Sequence, residues 1–331
     1  MKFIGVTLLI GVLFLLNIFI GSVDIPVSHV VDILLGADGY GAVGFIVRES
    51  RVPMAVTALL AGAGLAVSGL MLQTAFRNPL AGPSVLGVNS GASLGVALVM
   101  LLLGGTVSAG SFTIGGYAAV MAGAFAGSLM IMGVLLLLSS ALKDTLMLLI
   151  TGIMIGYLTS SVIMLLNFVS TAEGVQSYVM WGMSSFGGVS VRQLPLFCSV
   201  TAVGLVMSLL LMKPLDLLLL GDGYARNLGV NLQRVRNLLL LATGILTAVI
   251  TAYCGPVAFI GLSVPHIARM IFRTDSHRVL MPGTLLTGAA VALGCNLMCV
   301  LPANSVIPLN AVTPLIGAPV VIWVLFKHRS R

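Results

Sequence analysis

The sequence predicts an all-α integral membrane protein of about ten transmembrane helices, at about 30 residues of chain per span and its turn. Three observations carry that expectation. The chain is 59% hydrophobic and only 8% charged over 331 residues, whereas a soluble domain carries about 25% charged residues. Its apolar stretches are unbroken runs without the alternation of barrel strands, so the backbone must satisfy its hydrogen bonds within helices. The basic residues, finally, are shared so unevenly between the connecting segments that they orient the chain.

The predicted spans lie near 3–21, 51–74, 84–104, 113–138, 145–169, 194–212, 237–254, 259–273, 279–301 and 311–326. The first runs from Phe3 to Ile20, longer than a typical signal h-region, follows a single Lys2 and precedes no small-x-small cleavage site, so it reads as a retained helix. The outer segment Ser22 to Ser50 carries Asp24, Asp32, Asp38 and Glu49, with Pro26 and a glycine-rich stretch at 36–44, and predicts a short interfacial helix around 27–35. A second outer segment, Thr171 to Gln193, predicts a short helix near 174–183 that ends in Ser184-Ser-Phe-Gly-Gly188 and cannot span. Between 213 and 236 runs a polar loop that holds the block Gly221 to Gly229, followed by Arg234 and Arg236. No hydrophilic linker divides the chain, which reads as one transmembrane domain over 1–331.

The net charge of +7 calls for no nucleic acid, because its placement explains it. With the N-terminus inside, thirteen basic residues fall on cytoplasmic segments: Lys2, Arg77, Lys143, Lys213, Arg226, Arg234, Arg236, Arg269, Arg273, Arg278, Lys327, Arg329 and Arg331. Only Arg48, Arg51 and Arg192 fall outside. This bias puts both termini in the cytoplasm.

Cys198, Cys254, Cys295 and Cys299 sit in or at the ends of apolar runs, which argues for buried packing over a disulfide framework. Cys295 and Cys299 are four apart, but no histidine or carboxylate accompanies them as a zinc site requires. Gly62 with Ala66, and Gly152 with Gly156, mark faces on which helix backbones approach closely, with a pathway lining as the rival reading. No Asp or Glu lies mid-span, as an ion-coupled carrier would need, and no phosphate-binding G-x-x-x-x-G-K-[ST] loop occurs. If transport here is active, another polypeptide supplies its energy.

Four blocks together resemble one family. They are Arg51-Val-Pro53 with Ser68 to Gln73 and Arg77-Asn-Pro-Leu-Ala81; Leu219 to Val230; Gly255 to Arg269 with Asp275 and His277-Arg278; and Ile316-Gly-Ala-Pro319. In that order, over nearly the whole chain, they are similar to the FecCD-type permeases of type II ABC importers, which take up iron chelates (siderophores), haem and cobalamin. The resemblance implies a ten-helix subunit in a bacterial inner membrane that pairs with a second copy of itself around a central pathway. It implies two cytoplasmic ATPase subunits below, which hold the ATP and magnesium, and a periplasmic or lipid-anchored substrate-binding protein above. This chain itself would bind no cofactor and no metal.

By the same resemblance, the cytoplasmic loop 213–236 carries short helices in which Gly221, Asp222, Ala225, Arg226, Leu228 and Gly229 form the element that couples to the ATPase, and Asn78, Leu80 and Thr145 narrow the cytoplasmic end of the pathway. Asn-Pro also breaks a helix there on physical grounds. Thr151, Ser160, Asn167 and Gln176 are the candidate neutral lining, and Arg48, Arg51 and Arg192 the candidate docking charges for the binding protein. Pro265-His266 resembles a family pair, with His266 assigned structural work. The chain departs from the family at Met54, usually a second outer arginine, and at Asn296 and Val300, usually Asp and Arg, so docking must rest on fewer charges. Two other functions compete. A secondary carrier lacks its mid-span carboxylate, and an intramembrane enzyme using Cys254 or His266 lacks a converging catalytic set.

Overall fold

The computed structural model describes residues 1–37, 40–104, 106–109, 112–142, 145–302 and 306–329. Asp38, Lys143 and Arg331 lie outside them, as do the side chains of Thr145, Lys327 and Arg329. The chain runs through α1 (Lys2–Phe19), α2 (Val27–Leu34), α3 (Gly41–Phe45), a π turn (Ile46–Arg51), α4 (Val52–Ala75), α5 (Val88–Ala97) and a second π turn (Leu98–Leu102). Two short strands, β1 (Thr106–Ala109) and β2 (Phe112–Gly115), lead into α6 (Tyr117–Ala141), α7 (Thr145–Val169), α8 (Ala172–Gly182), α9 (Leu194–Leu210) and α10 (Met212–Leu219). The order closes with α11 (Asp222–Asn227), α12 (Leu232–Cys254), α13 (Ile260–Phe272), α14 (His277–Val300) and α15 (Leu309–Arg329).

Among the described residues, six stretches are long and apolar enough to cross a membrane: Lys2–Phe19, Gly41–Ala75, Tyr117–Ala141, Leu146–Val169, Leu232–Cys254 and His277–Val300. α9 and α10 together pass the same test but bend by 45° at their junction. Three shorter apolar helices, Val88–Leu102, Ile260–Phe272 and Leu309–Val324, stand where the sequence predicts the remaining spans. The chain is therefore an all-helical, multi-pass membrane protein apart from one small ribbon.

Two elements differ from the sequence reading. The second span begins at Gly41 rather than near 51, because α3, the π turn and α4 are continuous. Pro53 lacks an N–H and crowds the carbonyl four residues back, and a widened turn just before it absorbs that mismatch. The predicted span at 113–138 starts only at Tyr117, because 106–115 pairs as an antiparallel ribbon in the register Val107↔Ile114. Thr, Val and Ile in this stretch favour extended backbone over helix.

α4 is the central helix and packs against α14, α13, α12 and α9. A Cβ built on Gly62 would lie 2.3 Å from the carbonyl oxygen of Gly288, so α4 and α14 touch backbone to backbone. Gly152 likewise faces the backbone of Leu86 at 3.1 Å, which makes both small-residue faces packing surfaces. Cys254, Cys295 and Cys299 are buried free thiols. α7, by contrast, leaves Met147, Ile150, Met154, Leu158, Leu165 and Phe168 exposed. The side-chain bonds also show which segments share an end. The rings of Phe3 and Phe272 meet at 4.6 Å in a tilted pair, Arg77 reaches Asp222, and Arg236 reaches the end of α6, so the N-terminus, the α4–α5 turn and the 212–236 segment lie together.

Candidate functional site

At that end α11 stands between two glycines with positive φ, Gly221 at 109° and Gly229 at 84°. The N–H of Gly229 donates to Arg226 O (2.9 Å) and that of Val230 to Ala225 O (3.0 Å), a Schellman closure whose left-handed residue is Gly229. No heavy atom lies within 4 Å of a Cβ placed on either glycine, so backbone conformation, not tight packing, demands them. Ala225, fully buried, seats the helix on the bundle, while Asp222, Tyr224, Arg226 and Leu228 face outward. Asp222 pairs with Arg77 at 2.5 Å. Both are more than half exposed, which limits the pair to roughly 1 kcal/mol or less. Arg236 is not an outward charge: it donates to the carbonyls of Ser139 and Leu142 and closes the C-terminus of α6.

The α4–α5 turn lies beside α11. Asn78 Oδ1 accepts the N–H of Leu80 at 2.9 Å, a local turn bond. α13 holds the turn from the other side. His266 Nε2 lies 2.9 Å from Pro79 O, Gln73 donates to Leu262 O at 3.0 Å, and Arg269 donates to Gln73 Oε1 at 2.8 Å. This is the structural work expected of His266. Leu80 is left 42% exposed at the tip.

The four candidate lining residues do not converge. Ser160, on α7, shares a cavity with Ser84 in the α4–α5 turn, Asn89, Ser90 and Ser93 on α5, and Tyr178 on α8. Thr151 is nine residues from Ser160 on α7, which at about 100° per residue puts it on roughly the opposite face. Its hydroxyl donates to its own helix at Met147 O. Asn167 is half-buried, about two turns from Ser160 on the same side, and its Oδ1 has no hydrogen-bond partner among the described residues. Gln176 is exposed on α8.

Of the docking arginines, Arg51 is corrected outright. It is 3% exposed, and its guanidinium donates to the carbonyls of Ile18 (3.0 Å), Phe19 (2.8 Å) and Val23, closing the C-terminus of α1. Arg48 does the same for α2, donating to Ile33 O at 2.9 Å and Ala37 O at 3.1 Å, although it is exposed. Arg192 is exposed.

Asn310 carried no signal in the sequence, yet its amide organises this opposite end. Nδ2 lies within 3.0 Å of Gly182 O, Ser184 Oγ and Pro256 O, and Oδ1 accepts the N–H of Ala258. One side chain thus satisfies the irregular backbone of two breaks, which inside a membrane domain has no water to turn to.

The FecCD transport family matches residues 8–327. The vitamin B12 import system permease protein BtuC of Klebsiella pneumoniae subsp. pneumoniae is 35% identical over 328 residues, covering 99% of this chain and 94% of that one. The protein of the same name from Salmonella typhi is 38% identical over 282 residues, covering 85% and 83%. A solved structure described as an inward-facing conformation of a metal-chelate type ABC transporter superposes with a TM-score of 0.84 at 29% identity, covering 98% of both chains. With the four sequence blocks found in place on this helical frame, the chain belongs to the FecCD transport family.

Proposed function

We propose that this chain is the permease subunit of an ATP-driven importer of cobalamin or an iron chelate, working as a pair with a second copy of itself in a bacterial inner membrane. The observation that carries the reading is α11: a short helix fixed by Gly221, Ala225 and Gly229 that projects an outward face of Asp222, Tyr224, Arg226 and Leu228 at the end where basic residues gather. That face is the ATPase contact, and the end that bears it is cytoplasmic. ATP and magnesium belong to the two ATPase subunits, and this chain carries out no chemistry of its own.

In this reading Asn78 and Leu80, with Thr145 near them, close the cytoplasmic end of the pathway. The cavity at Ser84, Asn89, Ser90, Ser93 and Ser160 belongs to the lining. Its hydroxyls and amide are neutral, which suits passage of a bulky solute without tight binding. A soluble or lipid-anchored binding protein delivers that solute at the opposite end. The relatives named for vitamin B12 import favour cobalamin, and the metal-chelate structure keeps iron chelates in contention.

The test is reconstitution. The tagged chain, expressed with its ATPase, should retain two ATPase chains per permease pair and drive ATP-dependent uptake of cobalamin or a ferric chelate into vesicles. A chain that purifies alone and moves either solute on an ion gradient would overturn the reading.

A further inference from the structure

α10 lies directly ahead of α11 and carries one carboxylate, Asp216, among apolar residues. Its Oδ1 accepts two bonds from one residue: the backbone N–H of His277 at 2.7 Å and the ring Nδ1 of His277 at 2.8 Å. Nε2 of the same ring lies 2.9 Å from Oγ1 of Thr74, in the last turn of α4. His277 is 1% exposed, and Thr74 is buried. Three helices, α10, α14 and α4, are therefore joined by an unbroken chain of polar bonds centred on the buried His277. The N-cap of α14, Ser276, makes no side-chain cap, and the carboxylate of Asp216 takes that place from another helix, where the positive end of the helix dipole favours it.

A second tie runs outside the first. Arg77 pairs with Asp222 on α11 and donates to Leu218 O on α10 at 3.3 Å. Both ties begin on the 212–227 segment and end at Thr74 and Arg77, immediately before the Asn78–Leu80 turn. They differ in firmness. Water and salt screen the exposed pair, whereas a buried polar group that loses its partner is left without compensation. α10 cannot shift alone without leaving the buried ring and backbone N–H of His277 without their acceptor.

We propose that Asp216, His277 and Thr74 are the positioning residues through which a displacement of the 212–227 segment moves the Asn78–Leu80 turn. This rests on the reading of that segment as the ATPase contact and of that turn as the gate. The linkage is mechanical: a shift of α10 carries the N-terminus of α14 and the last turn of α4 with it, and residues 77–80 follow as the continuation of α4.

The experiment uses the chain purified with its ATPase in membranes, with Leu80→Cys as reporter in a Cys198→Ser background, since the other native cysteines are buried. The yield of crosslinking between copies by a bifunctional maleimide is compared without nucleotide and after trapping with ATP and vanadate. Thr74→Val exchanges the hydroxyl for a methyl group, which removes the bond to His277 and a bond to Leu70 O within α4. It should keep the copurifying ATPase and its hydrolysis rate while reducing the nucleotide-dependent change in crosslinking about fivefold or more, the scale of a real coupling between sites. His277→Gln should behave alike, and Thr287→Val, at a buried α14 hydroxyl that bonds Gly283 O within its own helix, should match the background. A wild-type crosslinking response in Thr74→Val overturns the proposal, and loss of ATPase assembly in that variant also overturns it by assigning the bonds to folding. If the background itself shows no nucleotide response, the gate assignment fails, and if no ATPase copurifies, the coupling reading fails. In either case the inference falls with its premise.

Discussion

Asn296 Nδ2 donates to Asn17 Oδ1 at 2.7 Å, and both amides are buried between α14 and α1. Asn17 passes the connection on through Nδ2 to Leu13 O at 2.8 Å and Leu293 O at 3.0 Å. α1 is exposed along most of its length, so this pair and the Arg51 bonds to Ile18 and Phe19 are polar anchors that tie it to the bundle. It also accounts for the neutral residue where the family usually carries an aspartate. An amide can both donate and accept here, whereas a carboxylate would leave the Asn17 carbonyl without a donor.

The pair should behave as a unit. Asn17→Ala and Asn296→Ala are each expected to cost about 1–2 kcal/mol, and the double variant clearly less than the sum, because the second loss removes a bond already broken. Thermal unfolding of the four proteins in detergent measures the cycle. Additive losses would mean that the two amides act independently.

Gly69 tests the α4–α13 contact. A Cβ at this position would lie 1.6 Å from the carbonyl oxygen of Gly261, so no side-chain rearrangement can relieve it. Gly69→Ala must separate the two helices, loosening the bonds from Gln73 to Leu262 and from His266 to Pro79, at a cost of about 3 kcal/mol. Gly133→Ala, with nothing within 4 Å of its Cβ, is the matched control and should be close to neutral. Equal stability of the two variants would contradict the packing.

Around α11 the backbone and the packing make separate demands. Gly229→Asn should be tolerated, because asparagine adopts positive φ readily and the space is open, whereas Gly229→Val should lose ATPase copurification. Ala225→Asp should lose it as well, by placing an unpaired carboxylate at a fully buried position. Both failing variants should still insert in the membrane. Retention of ATPase by Ala225→Asp would move the contact elsewhere.

The apolar runs made the spans legible, because length and hydropathy alone dictate a helix in lipid, and Gly221 to Gly229 stood out because polar residues break such runs. What stayed hidden depends on contacts between distant segments. Nothing near Arg51 in the sequence shows that the carbonyls of Ile18 and Phe19 return to meet it, so its charge read as outward. Asp216 and Asn310 were silent for the same reason: each is an ordinary polar residue until its partners, 61 residues away at His277 and 126 at Ser184, are folded against it. That Thr151 and Ser160 fall on opposite faces of α7 was hidden for a simpler reason, since polarity along the helix was read without its angular position.

The burial of Arg51 changes what a charge test at the outer end should show. Arg51→Glu would set a carboxylate against three carbonyl oxygens and leave the end of α1 without donors, so it should lower the melting temperature by well over about 5 °C. Arg51→Lys should not restore it, because a single ammonium cannot reproduce the guanidinium fork. Arg192 is exposed, so Arg192→Glu should leave stability unchanged within about 0.5 kcal/mol. If the binding protein docks on this end by charge, Arg192→Glu should weaken that complex at low ionic strength and matter little at high salt, since exposed pairs are screened over about 8 Å at physiological strength. Melting curves and titration of labelled binding protein, run on the same preparations, separate the two roles. An Arg51→Glu protein that melts like wild type but binds poorly would return Arg51 to the docking surface, and an Arg192→Glu protein that binds normally at low salt would remove Arg192 from it.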